Sequence, residues 1–205
     1  LKEEMLTMIR NLDIQRDAEG PVIIPIDHHF SIKGLGPVIT GTVLSGELSI
    51  NDEMRIIPLN SSGRVKNIQI FHQDVDSARS GDRVGINLKG LDVNKIYRGC
   101  YATDEPQAFE LGDLLEIRVN KANLFKPDTR FGTQVHVTIG MHTLVGKIYP
   151  YRELEGKKIP REISREDGAF QAFLWLGEKA VIRKEKMKML LSRLDLPPTT
   201  LRIMG

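Results

Sequence analysis

Cysteine is nearly absent: Cys100 is the only one in 205 residues. A single thiol can neither close an internal disulfide nor fill a cysteine zinc cluster, so the sequence points to a reducing cytoplasm. Cys100 itself reads as a small packing residue rather than a nucleophile. No stretch approaches the roughly 20 apolar residues of a membrane span. The opening Leu1-Lys2-Glu3-Glu4-Met5 carries acids and no signal-peptide core, so no membrane partner is expected. The chain begins on Leu rather than Met, which leads to the expectation of a fragment whose upstream part is missing.

Catalytic and nucleotide signatures are missing too. No Gly-x-x-x-x-Gly-Lys-Ser/Thr occurs, hence no phosphate cradle. Asn120-Lys121-Ala122-Asn123 and Asn94-Lys95-Ile96-Tyr97 both lack the Asp of a guanine-reading Asn-Lys-x-Asp. In Lys33-Gly34-Leu35-Gly36 the paired glycines read as a tight turn needing positive φ. Of the five histidines, His28 and His29 are adjacent and face opposite sides of a strand. His72, His136 and His142 are scattered, so no metal site is expected. No nucleophile elbow stands out, and there is neither a solenoid repeat nor a low-complexity run.

What is present is an ordinary balance of 40% hydrophobic and 27% charged residues, enough for one large or two small domains. At a net charge of +2, any RNA contact must come from a local basic patch. Leu1, Met5, Met8, Ile9 and Leu12 recur at helical spacing, which predicts an amphipathic helix over about 2–11. From Pro21 the texture turns to β, with β-branched runs at 22–26, 38–44, 48–50, 53–58, 64–71 and 83–88 separated by turns. A second series follows at 114–119, 134–139, 144–149, 169–176, 180–182 and 200–204. The 183–193 stretch reads either as a short helix or as a loop plus strand. Short, numerous strands imply a mainly β fold of two tandem small antiparallel barrels after a short N-terminal helix. The expected partition is 1–19, 20–105 and 106–205, with the boundary at Glu105-Pro106.

Against this frame, the run Ile26-Asp27-His28-His29-Phe30-Ser31-Ile32-Lys33-Gly34-Leu35-Gly36-Pro37-Val38-Ile39-Thr40-Gly41-Thr42 resembles the opening of domain II in translation GTPases. More narrowly, it is similar to the selenocysteine-specific elongation factors (SelB) of archaea and eukaryotes. These carry an Asp-His pair followed by Phe-x-Ile-Lys-Gly-x-Gly-Thr-Val-x-Thr-Gly-Thr. Pro37 stands where that family usually has Thr; it fixes φ and removes a donor, which alters the turn after Gly36. Val65-Lys66-Asn67-Ile68-Gln69-Ile70-Phe71-His72 resembles the family's central strand, and Ser77-Ala78-Arg79-Ser80-Gly81-Asp82-Arg83-Val84-Gly85 its Gly-Asp-Arg turn. Arg98-Gly99 resembles the close of domain II. Ser192-Arg193-Leu194-Asp195-Leu196-Pro197-Pro198 is similar to the archaeal closing motif of domain III. The 105–190 stretch matches only loosely.

The resemblance implies a GTP-dependent factor that binds selenocysteyl-tRNA and delivers it to the ribosome for UGA recoding, in the cytoplasm. Residues 1–19 would be the last helix and linker of a GTPase domain of the same parent chain. That domain would carry GTP or GDP with Mg2+, and a domain IV downstream would meet an mRNA element. The fragment itself needs no cofactor, has no metal and performs no catalysis.

The resemblance also places the aminoacyl end of the tRNA against Asp27, His28 and Arg83. A selenol is acidic enough to be an anion at neutral pH, whereas serine is neutral. Arg83 carries a permanent charge, and His28 can donate a hydrogen bond and be charged near an anion. Asp27 would orient one of them or accept from the α-amino group. A charge-assisted contact of about 1.5–3 kcal/mol gives roughly a tenfold to hundredfold preference over serine. The competing account is a surface ion-pair network between strand ends.

Arg183, Lys184, Lys186, Lys188 and Arg193 are candidates for tRNA phosphate contacts, against the alternative of a solvated basic face. Lys126 and Arg130 are weaker candidates, and His136 reads as structural. Two other functions stay open: a SelB-like factor without selenocysteine specificity, and a non-enzymatic β-barrel module that binds a protein partner.

Overall fold

The computed structural model describes residues 2–12, 19–163, 168–185 and 187–205. One helix, α1 (Lys2–Arg10), opens the chain. It buries no residue, and Met5, Met8 and Ile9 of its apolar stripe are exposed, as is Leu12 just beyond it. Nine strands follow in the first half: β1 (Ile23–Ile32), β2 (Gly36–Thr42), β3 (Glu47–Ser49), β4 (Glu53–Ile57), β5 (Ser61–Ile70), β6 (Gln73–Val75), β7 (Ser77–Arg79), β8 (Arg83–Lys89) and β9 (Tyr101–Thr103).

The path β4-β9-β1-β2-β8-β5 closes on itself because β4 also pairs with β5; β6 extends it, and β3 pairs with β7 separately. The closed six-stranded barrel is filled by alternate strand residues such as Ile24, Ile26, Ile39, Met54, Ile56, Val65, Ile68, Ile86 and Leu88. This is the period-2 burial expected of small barrels. Gly41 marks a close approach: a Cβ there would stand 2.5 Å from Ile24 Cγ2 and from the Pro25 carbonyl oxygen.

The second half holds β10 (Phe109–Asn120), β11 (Thr133–Ile139), β12 (His142–Leu154), β13 (Lys157–Pro160), β14 (Ala169–Arg183) and β15 (Met189–Ser192). They run in the order β10-β14-β12-β11-β15, with β13 on β12, and form a half-barrel around Phe125, Val135, Val137, Ile148, Leu174 and Leu191.

Two expectations change here. The segments 169–176 and 180–182 are one strand, β14. Its break in sequence pattern is a bulge: Trp175 pairs with Leu114 and Ala180 with Gly112, which leaves four residues of β14 opposite one of β10. The 200–204 segment is not a strand; Ile203 makes a single antiparallel bridge to Ser192. Of the described residues in 183–193, Arg183 ends β14 and Met189–Ser192 form β15, in line with the loop-plus-strand alternative and without a helix.

The barrels meet along a shared apolar seam. Ile23 and Tyr101 from the first pack with Phe109 and Val181 from the second. This explains why 22–26 is apolar without alternation: Ile24 and Ile26 face the barrel interior while Ile23 faces the seam. The Tyr101 and Phe109 rings lie 5.1 Å apart, and burial pushes the Tyr101 hydroxyl pKa up to about 12. Gly140, at φ +55°, admits Tyr101 so closely that a Cβ would fall 2.0 Å from its hydroxyl oxygen.

Candidate functional site

Asp27 is placed by a bulge. Ile26 pairs with Gly41 and His28 with Thr40, so β1 takes two steps where β2 takes one, and Asp27 is the extra residue. Arg83 is placed by the turn before β8. Gly81 takes the left-handed conformation, and the Asp82 carboxylate accepts from the Arg79 N–H at 2.9 Å. Arg83 then opens β8 opposite Thr42, with Gly85 opposite Thr40.

Three donors converge on the Asp27 carboxylate. Thr40 Oγ1 donates to Oδ1 at 2.5 Å, His28 Nδ1 lies 3.1 Å from the same oxygen, and Arg83 Nη1 donates to Oδ2. The Asp27 side chain is 10% exposed, Arg83 46% and His28 73%. Burial alone would raise the Asp27 pKa, but the hydrogen bonds from Arg83, Thr40 and His28 together outweigh it and hold the carboxyl at about 2. With both oxygens engaged, the carboxylate suits the orienting role better than acceptance of an α-amino group.

A cleft of about 440 Å³ runs beside this cluster, lined by Thr40 and Arg83 together with Phe30, Ile32, Phe71 and Asn87. Phe71 is 83% exposed, and both it and His72 take left-handed φ in the turn from β5 to β6. Asn87 is buried and donates to the carbonyls of Leu35 and Pro37, both at 2.9 Å. The departure from Thr at Pro37 is therefore accommodated through its carbonyl, which the ring leaves available. Thr40 and Asn87 were not singled out from the sequence. Asn87 carried a signal, a polar amide between Ile86 and Leu88, whereas Thr40, itself β-branched, carried none.

The basic stretch divides. Arg183, Lys184 and Lys188 line a second cleft, of about 790 Å³, between β10 and β15, where Glu110, Glu116 and Glu185 also lie. Arg183 pairs with Glu185 at 3.2 Å. Arg193 is held by Asp195 through two bonds, of 2.8 and 2.7 Å, and its side chain is only 13% exposed. Lys186 lies outside the described residues. Lys126 caps the Asn123 carbonyl at 2.7 Å, Arg130 is exposed, and His136 is half-buried in β11.

Among the described residues no three His, Cys, Asp or Glu side chains converge as a metal site would need. The paired glycines at 34 and 36 form the β1–β2 hairpin turn, closed by the Leu35 N–H on the Ile32 carbonyl. No helix among the described residues is long and apolar enough to cross a membrane.

Residues 36–103 match the family model of elongation factor Tu domain 2. Residues 109–205 match that of archaeal selenocysteine-specific elongation factor, domain III. The whole chain is 40% identical, over 210 residues, to a selenocysteine-specific elongation factor of Methanocaldococcus jannaschii, 44% of which it covers. The chain belongs to the selenocysteine-specific elongation factor family. A Mus musculus protein of the same name is 37% identical over 132 residues, which cover 64% of this chain and 22% of that protein.

The crystal structure of translation elongation factor SelB from Methanococcus maripaludis superposes over 100% of this chain and 45% of its own, with TM-score 0.88 and 32% identity. The same factor in complex with the GTP analogue GPPNHP gives TM-score 0.86 at 32% identity, covering 100% of this chain and 46% of that one. The chain thus spans less than half the length of these relatives, and the matched regions are the two β domains of the SelB architecture.

Proposed function

We propose that this chain is the part of a GTP-dependent elongation factor that holds the aminoacyl end of selenocysteyl-tRNA for delivery to the ribosome at UGA. In this reading 20–105 is domain II and 106–205 domain III. Residues 1–19 lead from a GTPase domain that binds GTP or GDP with Mg2+. A domain IV reads an mRNA element, and the whole protein works in the cytoplasm.

The observation that carries this reading is the Asp27–Arg83 pair at the rim of the domain II cleft. A fixed guanidinium beside a largely apolar groove attracts a selenolate and gives a serine hydroxyl no comparable contact. The group that bears the amino acid is a nucleoside, and the aromatic and aliphatic wall of Phe30, Ile32 and Phe71 next to Arg83 suits a base laid along it. His28, largely exposed, reaches the same rim from β1. Arg183, Lys184 and Lys188 add phosphate contacts from the half-barrel. Arg193, already chelated by Asp195, contributes less. Lys186 joins this group by sequence alone.

The test is protection of the aminoacyl ester by the parent protein with GTP present, comparing selenocysteyl-tRNA with seryl-tRNA. Selective protection of the selenocysteyl ester, lost on Arg83→Ala, supports the anion-reading site. Equal protection of both esters makes the factor a general carrier. Protection of neither leaves a β-barrel interaction module.

A further inference from the structure

The Asp27 carboxylate meets Arg83 through one of its two oxygens. Such pairs frequently form a fork, with two N–H groups on two oxygens. Here Oδ1 is occupied by the Thr40 hydroxyl at 2.5 Å and by His28 Nδ1 at 3.1 Å, and the bond from Arg83 Nη1 falls on Oδ2. His28 is 73% exposed and can swing away into water. Thr40 cannot. It sits inside β2, in register with His28 of β1 on one side and with Gly85 of β8 on the other. Thr40 therefore ties the bulged Asp27 to the same ladder that carries Arg83.

We propose that Thr40 is a positioning residue for discrimination at this site: its hydroxyl holds the Asp27 carboxylate in the one-oxygen contact and so keeps part of the Arg83 guanidinium turned to the cleft, where an anionic side chain can bind it. The inference rests on the aminoacyl-site reading and assigns its selectivity to a residue that need not touch the amino acid. Without the hydroxyl, the carboxylate is free to rotate about its side-chain bonds and chelate Arg83 with both oxygens. The carboxylate then neutralises the guanidinium more fully and draws it from the cleft. Anion binding weakens, while the apolar wall, which acts on any aminoacyl nucleoside, is unchanged.

The experiment measures ester protection of selenocysteyl-tRNA and seryl-tRNA by the full-length parent with GTP, across a pH series spanning ionisation of the selenol. Thr40→Val, nearly isosteric, is compared with Thr40→Ser, which restores the hydroxyl. Thr40→Ala adds no atoms and is carried in parallel. The expected result is a fall of about tenfold in the selenocysteyl-to-seryl preference for Val and Ala. Protection of the seryl ester should fall less than that of the selenocysteyl ester, and the rise of preference with pH should flatten. Thr40→Ser should keep the wild-type ratio and profile. A folded Thr40→Val with the wild-type ratio and pH profile overturns the proposal. So does a Thr40→Ser variant that loses as much as Thr40→Val, because packing would then be the cause. Failure of the underlying reading looks different: the unmodified parent shows no preference, or Arg83→Ala leaves it intact, and both inferences then fall together.

Discussion

In the closed barrel, the mostly buried Asp27 meets donors from 13 and 56 residues along the chain. In the half-barrel, Arg183 and Arg193 each pair with an acid only two residues away. The difference is physical. A pair between neighbours forms in almost any loop and is weakened by water, so it says little about the fold. A pair across 56 residues exists only when β1, β2 and β8 are in register, so its geometry inherits the precision of a closed ladder. The half-barrel has one long-range cluster of its own. Glu116 accepts from Lys158 at 2.7 Å and from the Tyr151 hydroxyl, with the Lys158 ammonium about 5 Å from the Tyr151 and Phe173 rings. That cluster uses up its own cation and braces β13 against the sheet. Charge density alone therefore does not mark a site.

The comparison can be broken most forcefully from the half-barrel side. Phe125 is fully buried there, and Phe125→Ala should cost about 3–5 kcal/mol. The measurement is urea unfolding followed by the fluorescence of Trp175, the only tryptophan, which lies on β14. If the seam couples the barrels, the circular dichroism transition moves with the fluorescence; a lag between the two would show that they unfold separately.

Gly140→Ala attacks the seam itself. The added Cβ meets the Tyr101 hydroxyl, and φ is positive, so a loss of about 2–3 kcal/mol and a splitting of the two transitions are expected.

Asp27 offers a pH test of the closed barrel. Its pKa of about 2 lies below the ordinary 3.8, so its contribution is present in full above the unfolded value and is lost as pH falls from about 4 through 2. The difference corresponds to about 2 kcal/mol. Asp27→Asn should flatten the stability profile over that window, as read from urea midpoints. Asp195, lowered by the Arg193 hydrogen bond, shifts in the same direction, but its neighbour pairing should leave a smaller residue of pH dependence in the Asn variant.

The smallest effect is expected from the basic stretch. Lys184→Gln with Lys188→Gln should reduce the salt dependence of tRNA binding by the parent by about 1–2 in log–log slope. Arg193→Gln should change it less, because Asp195 already engages that guanidinium.

Much of the closed barrel was legible from residue order alone. The strand at 64–71 alternates because one face is core, and the β-branched and apolar runs at 38–44, 53–58 and 83–88 fall on β2, β4 and β8. Short β6, β7 and β9 escaped because three residues carry no period; β3, just as short, was legible only through Leu48 and Ile50 on either side of Ser49. In the half-barrel, β14 read as two segments because its bulge carries the exposed Gly177, Glu178 and Lys179 through a continuous strand. The 200–204 stretch looked like a strand, yet only Ile203 bridges to a neighbour. At the site, Asp27, His28 and Arg83 were visible through their motifs. Thr40 and Asn87 were not, since a polar residue within a strand reveals neither which face it takes nor which backbone or carboxylate it meets.

The sequence by itself determined a mainly β chain with turns at set places, one opening amphipathic helix, no nucleotide cradle and a run of residues shared with the selenocysteine-specific factors. Those features are local: they depend on side-chain periodicity, φ preference and motif spacing over a few residues. Tertiary structure alone decided that the first sheet closes while the second stays a half-barrel, and that Ile23 serves the seam rather than the core. It also decided that Asp27, bulged out of β1, takes its hydroxyl from β2 and its guanidinium from β8. These depend on strand pairing and register across tens of residues, which short-range patterns do not encode.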